Sequence, residues 1–476
     1  MSTRTSAPPG ASPVGLVGPV GLVGAVLALA LLAGCTDGGN PPPPAATSSS
    51  AASVEPGPVA LTFGVYGPDE EVAGYDSMVR TFNAGSDTSE VSVVSWLDHD
   101  QAMAELASGA AQPDVFLVSR RDLAQFQEAG QVQPVDELLD ARAIDFGDGY
   151  SRDALRAFSL DNRLECMPYG ISPMVIYYNT DLVDFAKMRN RGLPAPGTDP
   201  APGEEAELPR FWSFEQFAAA ADFATRPSRG TRGVHVDATL RGLSPFIISG
   251  EGSIFDSDTD PTSLAFSDDG TRAALETTLD LLREAPVTLS PEQLAQKPAL
   301  QWFEDGELGM IAGFRDLVPE LRRMQGLEFD VMPIPVLESS GTIGDITGLC
   351  LSASTAHTPE AADFLAHAVS DESVTAVTRS GYLVPANVAV AASDDFLQPG
   401  RLPANSRVFN SAVRDIYIPP LLATWSALET AIAPSLEELV SLPVLPPETI
   451  DEITTTIDEQ SRLVLSPEDV SPSPSG

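Results

Sequence analysis

The sequence predicts an α/β fold built as two lobes. From Val59 onward, short apolar runs rich in β-branched residues alternate with amphipathic stretches of helical spacing. Roughly 400 residues can take part in folding, which is too many for a single hydrophobic core. Alternation of this kind is typical of parallel sheets covered by helices, and the length indicates that two such units share the chain.

The first third of the foldable chain shows this alternation most clearly. Strands are expected at residues 59–66, 91–96 and 114–118, with helical spacing at 72–82 and 101–107. The segment 119–122 fits a capping box that opens a helix through Phe126 and stops at Gly130. Because strands separated by helices of this length run in one direction, a parallel sheet is predicted here.

Helix starts are also visible later in the chain. Residues 213–216 and 290–293 repeat the Ser-x-x-Gln capping pattern, the second with proline at the first helical position. Thr358 is expected to cap a helix that carries Phe364, Leu365 and Ala368 on one face. Residues 191–208 are rich in Pro, Gly and Glu, which predicts a surface insertion.

An apolar run that starts at Val14 ends in Leu32-Ala33-Gly34-Cys35. This order is typical of a secretion signal, and its last four residues resemble the bacterial lipobox. The resemblance implies cleavage before Cys35 and acylation of its thiol, which anchors a protein stably when two or more chains are attached. Residues 1–35 are therefore predicted to be a lipoprotein signal peptide ending at the lipidated cysteine. An uncleaved spanning anchor is the alternative, and both place the remaining chain outside the cytoplasm.

The two ends of the mature chain are predicted to be disordered. Residues 36–58 contain runs of Gly, Pro and Ser, which predict a tether, and residues 466–476 form a tail with Ser-Pro repeats. The chain has 27 basic against 67 acidic residues and a formal net charge of -40. A field of this sign disfavours nucleic acid and anionic lipid surfaces as partners.

Two cysteines remain once Cys35 is assigned to the anchor. Cys166 and Cys350 would then lie in an oxidising compartment, where a disulfide is the default expectation and two buried thiols are the alternative. Neither these cysteines nor the four histidines have metal-ligand spacing, so no metal is predicted. No nucleophile elbow, P-loop, zinc-protease or dinucleotide motif is present. The chain is therefore predicted to be a binding protein without a cofactor, not an enzyme.

The most specific segment is residues 166–182, with the sequence CMPYGISPMVIYYNTDL. It resembles the crossing strand of extracellular solute-binding protein family 1, the maltose-binding-protein-like carbohydrate-binding lipoproteins of ABC importers. Further segments are similar to that family in the same order, namely residues 112–116, 211–217, 306–313, 329–335, 348–352 and 380–386.

The resemblance implies a two-lobed, periplasmic-binding-protein-like α/β fold of type II. Crossing strands form the hinge and the ligand binds in the cleft between the lobes. Residues 59–167 with 327–385 are assigned to the N-terminal lobe, and residues 168–326 with 386–465 to the C-terminal lobe. Cys166 and Cys350 both fall in crossing segments, which run near one another in the family.

Candidate ligand-binding residues follow from two rules. Ligands in open α/β sheets bind at the carboxyl ends of strands, and sugars are bound by aromatic faces and polar side chains. These rules nominate Tyr66, Glu70, Trp96, Asp98, Ser119 and Arg120. The resemblance adds Tyr169, Ser172, Glu251, Phe314, Arg315, Asp345 and Trp425.

Among these candidates, the resemblance makes Trp425 the best stacking residue. Phe314 stands where the family often has a tryptophan, and this departure weakens the case for a neutral sugar. Arg315 together with Arg120 would suit a carboxylate or phosphate on the ligand, and Asp345 a sugar hydroxyl or a cation.

The predicted function is the substrate-binding lipoprotein of an ABC importer, a monomer anchored on the extracytoplasmic face of the cell membrane. It would capture a small solute, a mono- or oligosaccharide, by lobe closure and pass it to the transmembrane subunits of a permease. A polyol-phosphate or other anionic solute is the alternative ligand. Alternatives of another class are a secreted surface hydrolase and a sensor lipoprotein.

Overall fold

The computed structural model describes residues 57–144, 147–197, 211–441 and 446–467. The strands in these ranges are β1 (Val59–Tyr66), β2 (Ser89–Trp96), β3 (Val115–Ser119), β4 (Val132–Gln133), β5 (Ser159–Leu160), β6 (Arg163–Leu164), β7 (Cys166–Pro173), β8 (Val175–Asn179), β9 (Arg232–His235), β10 (Leu308–Gly313), β11 (Phe329–Pro333), β12 (Thr342–Ser352) and β13 (Ile416–Tyr417).

The α-helices of the same ranges are α1 (Asp69–Gly85), α2 (His99–Ala107), α3 (Leu123–Glu128), α4 (Asp136–Asp140), α5 (Arg152–Ala157), α6 (Phe185–Asn190), α7 (Phe214–Ala224), α8 (Leu240–Ser249), α9 (Asp269–Leu282), α10 (Pro291–Leu294), α11 (Ala299–Glu304), α12 (Leu317–Arg323), α13 (Thr358–Ala368), α14 (Asp371–Thr378), α15 (Val388–Ala391), α16 (Asp394–Leu397), α17 (Arg407–Ala412), α18 (Trp425–Ser441) and α19 (Pro447–Leu465).

The first sheet has the strand order β13-β12-β3-β1-β2, and β4 and β7 also pair with β12. Strands β1, β2 and β3 are parallel, as the alternation predicts, with Tyr66 opposite Trp96 at their carboxyl ends. The rest of the sheet is mixed, because β12 is antiparallel to β3, β4 and β7 and parallel to β13. Long crossing strands that return through a sheet produce this mixed pattern.

The second sheet has the order β11-β8-β10-β9, in which β8 is antiparallel to both of its neighbours. Its strands are buried on both faces. Along β8, Val175 and Tyr177 pack into one hydrophobic core, whereas Ile176 and Tyr178 pack into another. Because side chains alternate along a strand, the sheet separates two cores, and a third core surrounds the first sheet.

We call the residues around the first sheet the first lobe and those around the second sheet the second lobe. The chain passes between the sheets at Met174, which separates β7 from β8, and again between β11 and β12. The boundaries expected after residues 167 and 326 therefore lie several residues too early, since β7 belongs wholly to the first sheet and β11 to the second. Near the boundary expected after residue 385, Val384 packs in the second lobe and Ala386 packs in the first lobe.

Two of the four predicted helix caps are formed as capping boxes. The side chains of Ser213 and Ser290 each accept a hydrogen bond from the backbone N–H three residues on. The other two predictions are wrong. Ser119 ends β3, and α3 begins only at Leu123; Thr358 is the first residue of α13 rather than its cap. A cap pattern fails where the preceding strand or turn extends into it.

Cys166 and Cys350 face one another in the register of β7 and β12 and form a disulfide with both side chains fully buried. The bridge joins the outgoing and returning strands of the first lobe. Among the described helices, none has the length and apolarity needed to cross a bilayer. The predicted signal peptide with Cys35, most of the tether and most of the tail lie outside the described residues.

Candidate functional site

A pocket opens between the two lobes at the carboxyl ends of the parallel strands. The space between its walls, counting the part open to solvent, is about 720 Å³. Its walls come from the end of β3, from β12, from α8 and from the segment that leads into α18. The lining residues are Ser119, Arg120, Arg121, Leu240, Arg241, Ser244, Ile254, Ile343, Gly344, Asp345, Ile346, Tyr417, Pro419, Pro420, Trp425 and Glu429.

The aromatic residues of this pocket stand on the segment between β13 and α18. Trp425 begins α18, is half-buried, and packs against Phe255 with ring centroids 6.0 Å apart. The hydroxyl of Tyr417 donates a hydrogen bond to Asp258 at 2.6 Å. These contacts hold both rings in place at the pocket wall. Fixed aromatic faces of this kind suit the C–H surface of a sugar ring.

Arg241 spans the cleft. It extends from α8 in the second lobe, and its guanidinium lies 3.1 Å from the carboxylate of Asp345 on β12. The same guanidinium stacks over the ring of Phe314, 4.2 Å from the centroid. Both members of the ion pair keep about a third or more of their side-chain surface exposed, 34% for Arg241 and 43% for Asp345. The pair is therefore accessible to a ligand and screened by solvent.

Asp345 is electrostatically coupled to two carboxylates from other elements. Glu71 lies on α1 and Asp316 just before α12, and each repels Asp345 electrostatically. Burial, together with the neighbouring carboxylates, raises the pKa of Glu71 to about 8 and that of Asp316 to about 6.

We expect Glu71 to make the protein less stable as the pH rises. A carboxyl group whose pKa is raised by folding contributes its full stability below the unfolded-state pKa of 4.5. This stability is lost as the pH rises to the folded-state pKa of about 8. Replacing Glu71→Gln should therefore flatten the decline in unfolding free energy between about pH 5 and about pH 8, measured by urea denaturation. Glu90→Gln, at an exposed position on β2, is the control. Parallel curves for Glu71→Gln and the parent chain would contradict this account.

A second polar cluster lies beside the pocket. The imidazole of His99 contacts Asp122 at 2.7 Å and Asp100 at 2.9 Å, and the ring of Tyr66 packs edge-on against it. Burial alone would lower the pKa of His99, but the hydrogen bonds to the two carboxylates outweigh it and raise that pKa. The cluster fixes the turn that follows β3. Within the described ranges, no three His, Cys, Asp or Glu side chains form a metal site.

Four of the predicted site residues line the pocket. These are Ser119, Arg120, Asp345 and Trp425. Phe314 borders it through its contact with Arg241, and Tyr66 lies behind it against His99.

Several other predicted residues are held in the fold instead. Trp96 is 5% exposed, packs over Gly64 and donates its indole N–H to Glu105 at 2.8 Å. Tyr169 is buried against Tyr75 in the core of the first lobe. The expectation that these rings face the cleft is wrong, because both pack into the hydrophobic core around the first sheet.

Arg315 and Ser172 meet at the junction of the lobes rather than in the cleft. Arg315 is fully buried, and its guanidinium donates to the carbonyls of Gly381 and Phe396 at 3.0 and 3.1 Å. The hydroxyl of Ser172 accepts a hydrogen bond from the backbone N–H of Arg315 at 3.0 Å. The idea that Arg315 joins Arg120 at an anion is therefore wrong, since its donors are directed into protein.

Two further predicted polar residues have structural partners, and a third lies outside the pocket lining. Asp98 caps α2 by accepting from Gln101 at 2.9 Å. Glu70 pairs with Arg323 of the second lobe at 2.8 Å. Glu251, outside the pocket lining, follows the end of α8 in the left-handed conformation with φ 59°. Residues that sequence reasoning missed are Arg121, Arg241, Tyr417 and Glu429. Of these, only Tyr417, beside two prolines and upstream of Trp425, carries a signal in the sequence.

The architecture defines a class: a two-lobed α/β binding protein with its pocket between the lobes. The chain belongs to the bacterial extracellular solute-binding protein family, whose profile matches residues 77–404. This confirms the resemblance found in the sequence. Members of this family are binding proteins and not enzymes. No curated protein sequence matches the chain.

Solved structures share the fold at low sequence identity. The ABC substrate-binding protein Lmo0181 from Listeria monocytogenes, solved with cycloalternan, has a TM-score of 0.69 at 18% identity, covering 84% of this chain and 98% of its own. The GacH receptor of Streptomyces glaucescens, solved unliganded and with acarbose, has a TM-score of 0.68 at 18% identity, covering 86% and 98%. The cyclic α-maltosyl-1,6-maltose binding protein from Arthrobacter globiformis has a TM-score of 0.66 at 18% identity, covering 86% and 100%. These likenesses confirm the two-lobed periplasmic-binding-protein-like fold.

Proposed function

We propose that this protein captures a mono- or oligosaccharide outside the cell and delivers it to the transmembrane subunits of an ABC importer. The observation that carries the proposal is the pocket between the lobes, which the fixed ring of Trp425 lines together with Arg120 and Asp345. An aromatic face with hydrogen-bonding groups around it matches a sugar, which has an apolar ring face and hydroxyls at its edge. The similar folds solved with oligosaccharides support the same class of ligand.

Closure of the lobes is the proposed means of capture. Glu70–Arg323 and Arg241–Asp345 already join residues of the two lobes. A solute that contacts both walls favours the closed arrangement by the free energy of those added contacts. The lipid on Cys35 would keep the protein beside its permease, and mass spectrometry of the mature amino terminus tests that anchor.

A thermal-shift screen tests the ligand class directly. Purified chain is heated with a panel of neutral sugars, oligosaccharides, uronic acids, sugar phosphates and amino acids. A true solute raises the melting temperature in proportion to the logarithm of its concentration above Kd. We expect saccharides to give the dose-dependent shifts. If amino acids shift the melting temperature and no saccharide does, the proposal fails.

Trp425→Ala is expected to weaken binding of the best saccharide of that panel by at least about tenfold, because the ring supplies the stacking face. Isothermal titration calorimetry measures the Kd. Trp302→Ala is the matched control, since Trp302 is also half-buried but packs in the second lobe away from the pocket. Equal loss of affinity in both variants would assign the effect to destabilisation and remove Trp425 from the site.

A further inference from the structure

Arg120 is the most buried charged side chain on the pocket wall. It follows Ser119 at the end of β3, is only 9% exposed, and donates one hydrogen bond, from Nη2 to the carbonyl of Pro419 at 3.0 Å. Its Nε is buried without a hydrogen-bond partner. Burial is the only influence on its pKa, which falls to about 10, so no nearby carboxylate offsets the cost of desolvating the charge.

The other two arginines of the pocket differ in this respect. Arg241 lies 3.1 Å from the carboxylate of Asp345, and Arg121 lies 3.8 Å from that of Asp122. A buried guanidinium that lacks such a partner is costly unless something supplies the missing acceptor. Within the described part of the chain, Arg120 therefore lacks an acceptor for its Nε and a carboxylate for its charge, and it lies on the wall of a pocket.

The carboxylates near the pocket face arginines other than Arg120. Two carboxylates, Asp345 and Glu429, line the pocket with three arginines, and Asp345 pairs with Arg241. Charges on the outer surface are screened beyond about 8 Å at physiological ionic strength. An anion that enters the pocket is therefore governed by its walls and not by the distant acidic surface.

We propose that the captured solute is an acidic saccharide whose anionic oxygens pair with Arg120. This rests on the proposed function and narrows its substrate class. The guanidinium presents N–H donors in a planar fork that matches a carboxylate or a phosphate oxygen pair. A uronic acid supplies the first group and a sugar phosphate the second. The sugar ring would contact Trp425, which lines the same pocket.

Matched ligand pairs test this substrate class. Calorimetry on the full chain compares glucuronate with glucose, galacturonate with galactose, digalacturonate with galactobiose, and glucose 6-phosphate with glucose. We expect at least one acidic member to bind about tenfold or more tightly than its neutral partner, and added salt to weaken that member selectively. Preference for uronates or for phosphates identifies which of the two groups Arg120 binds.

Substitutions distinguish a role of Arg120 in recognising the ligand from a role in packing. Arg120→Gln is expected to raise the Kd of the acidic member by about tenfold or more. The Kd of its neutral partner should change by less than about threefold. Arg120→Lys keeps the charge but loses the fork, so its effect should be intermediate. Glu429→Gln removes a negative charge from the wall and should strengthen acidic binding. Arg80→Gln, at an exposed position on α1, controls for net charge and should change neither ligand.

The failures can be told apart. If neutral sugars bind at least as tightly as their acidic partners throughout the panel, the acidic-solute inference is overturned while the proposed saccharide function stands. The inference is also overturned if Arg120→Gln weakens both members of a pair equally, because a merely structural arginine would act in that way. If no saccharide of either kind binds, both proposals fall together.

Discussion

Removing the disulfide is expected to cost about 5 kcal/mol of unfolding free energy, the upper end of what a single bridge contributes. The bridge joins residues 184 positions apart, so it removes a large amount of conformational freedom from the unfolded chain. In the folded protein Cys166 and Cys350 are both 0% exposed, and the two sulfurs also fill the core between β7 and β12. Replacing both with alanine loses this packing as well.

Urea denaturation followed by circular dichroism measures the effect of Cys166→Ala/Cys350→Ala. Both the parent and the variant carry Cys35→Ala, so that they differ only in the bridge and form no mixed disulfides. Reductant should leave the folded parent intact, because the buried bridge becomes accessible only on unfolding, and should lower the refolding midpoint afterwards. An unfolding free energy within about 0.5 kcal/mol of the parent would show that the bridge contributes little.

Arg315→Ala is expected to destabilise the protein by about 3 kcal/mol without lowering ligand affinity in the protein that remains folded. The substitution leaves the carbonyls of Gly381 and Phe396 without their donors and empties the space between the rings of Phe396 and Phe409. Release of a buried charge offsets part of this loss, because burial already lowers the pKa of Arg315 to about 10.

Arg379→Ala is the matched control for this prediction. Its guanidinium pairs with Asp395 at 2.7 Å but is 65% exposed, so the change should stay within about 0.5 kcal/mol. Calorimetry with the best saccharide of the screen gives the second readout. If Arg315→Ala unfolds like the parent chain but loses binding, the arginine belongs to the ligand site after all.

Local patterns predicted the elements of the fold well where only neighbouring residues matter. The first strand is found at the expected residues, Val59–Tyr66, and the serines that begin α7 and α10 form their capping boxes. Strand direction depended on distant segments. Nothing near β3 indicates that β12 will return beside it in the antiparallel sense, since that pairing joins residues more than two hundred positions apart.

From the residues alone, site positions were predicted where the carboxyl end of a strand decides them, and the family resemblance added Asp345 and Trp425. That rule brought Ser119 and Arg120 to the pocket, because β3 ends there. It failed for Trp96, whose large ring is more stable packed over Gly64 than in solvent. Arg241 could not be predicted for a different reason: it lies on a helix of the other lobe, and only the folded chain brings it to Asp345.

The pairing of β12 determines the order in which the two sheets can be completed as the chain is synthesised. It pairs with β3, β4, β7 and β13, so the first sheet stays unfinished until Thr342 and the residues after it have emerged from the ribosome. The four strands of the second sheet are all complete by Pro333. The lobe that comes first in the chain is therefore the one whose sheet is completed last, since β3 lacks its neighbour until β12 is available.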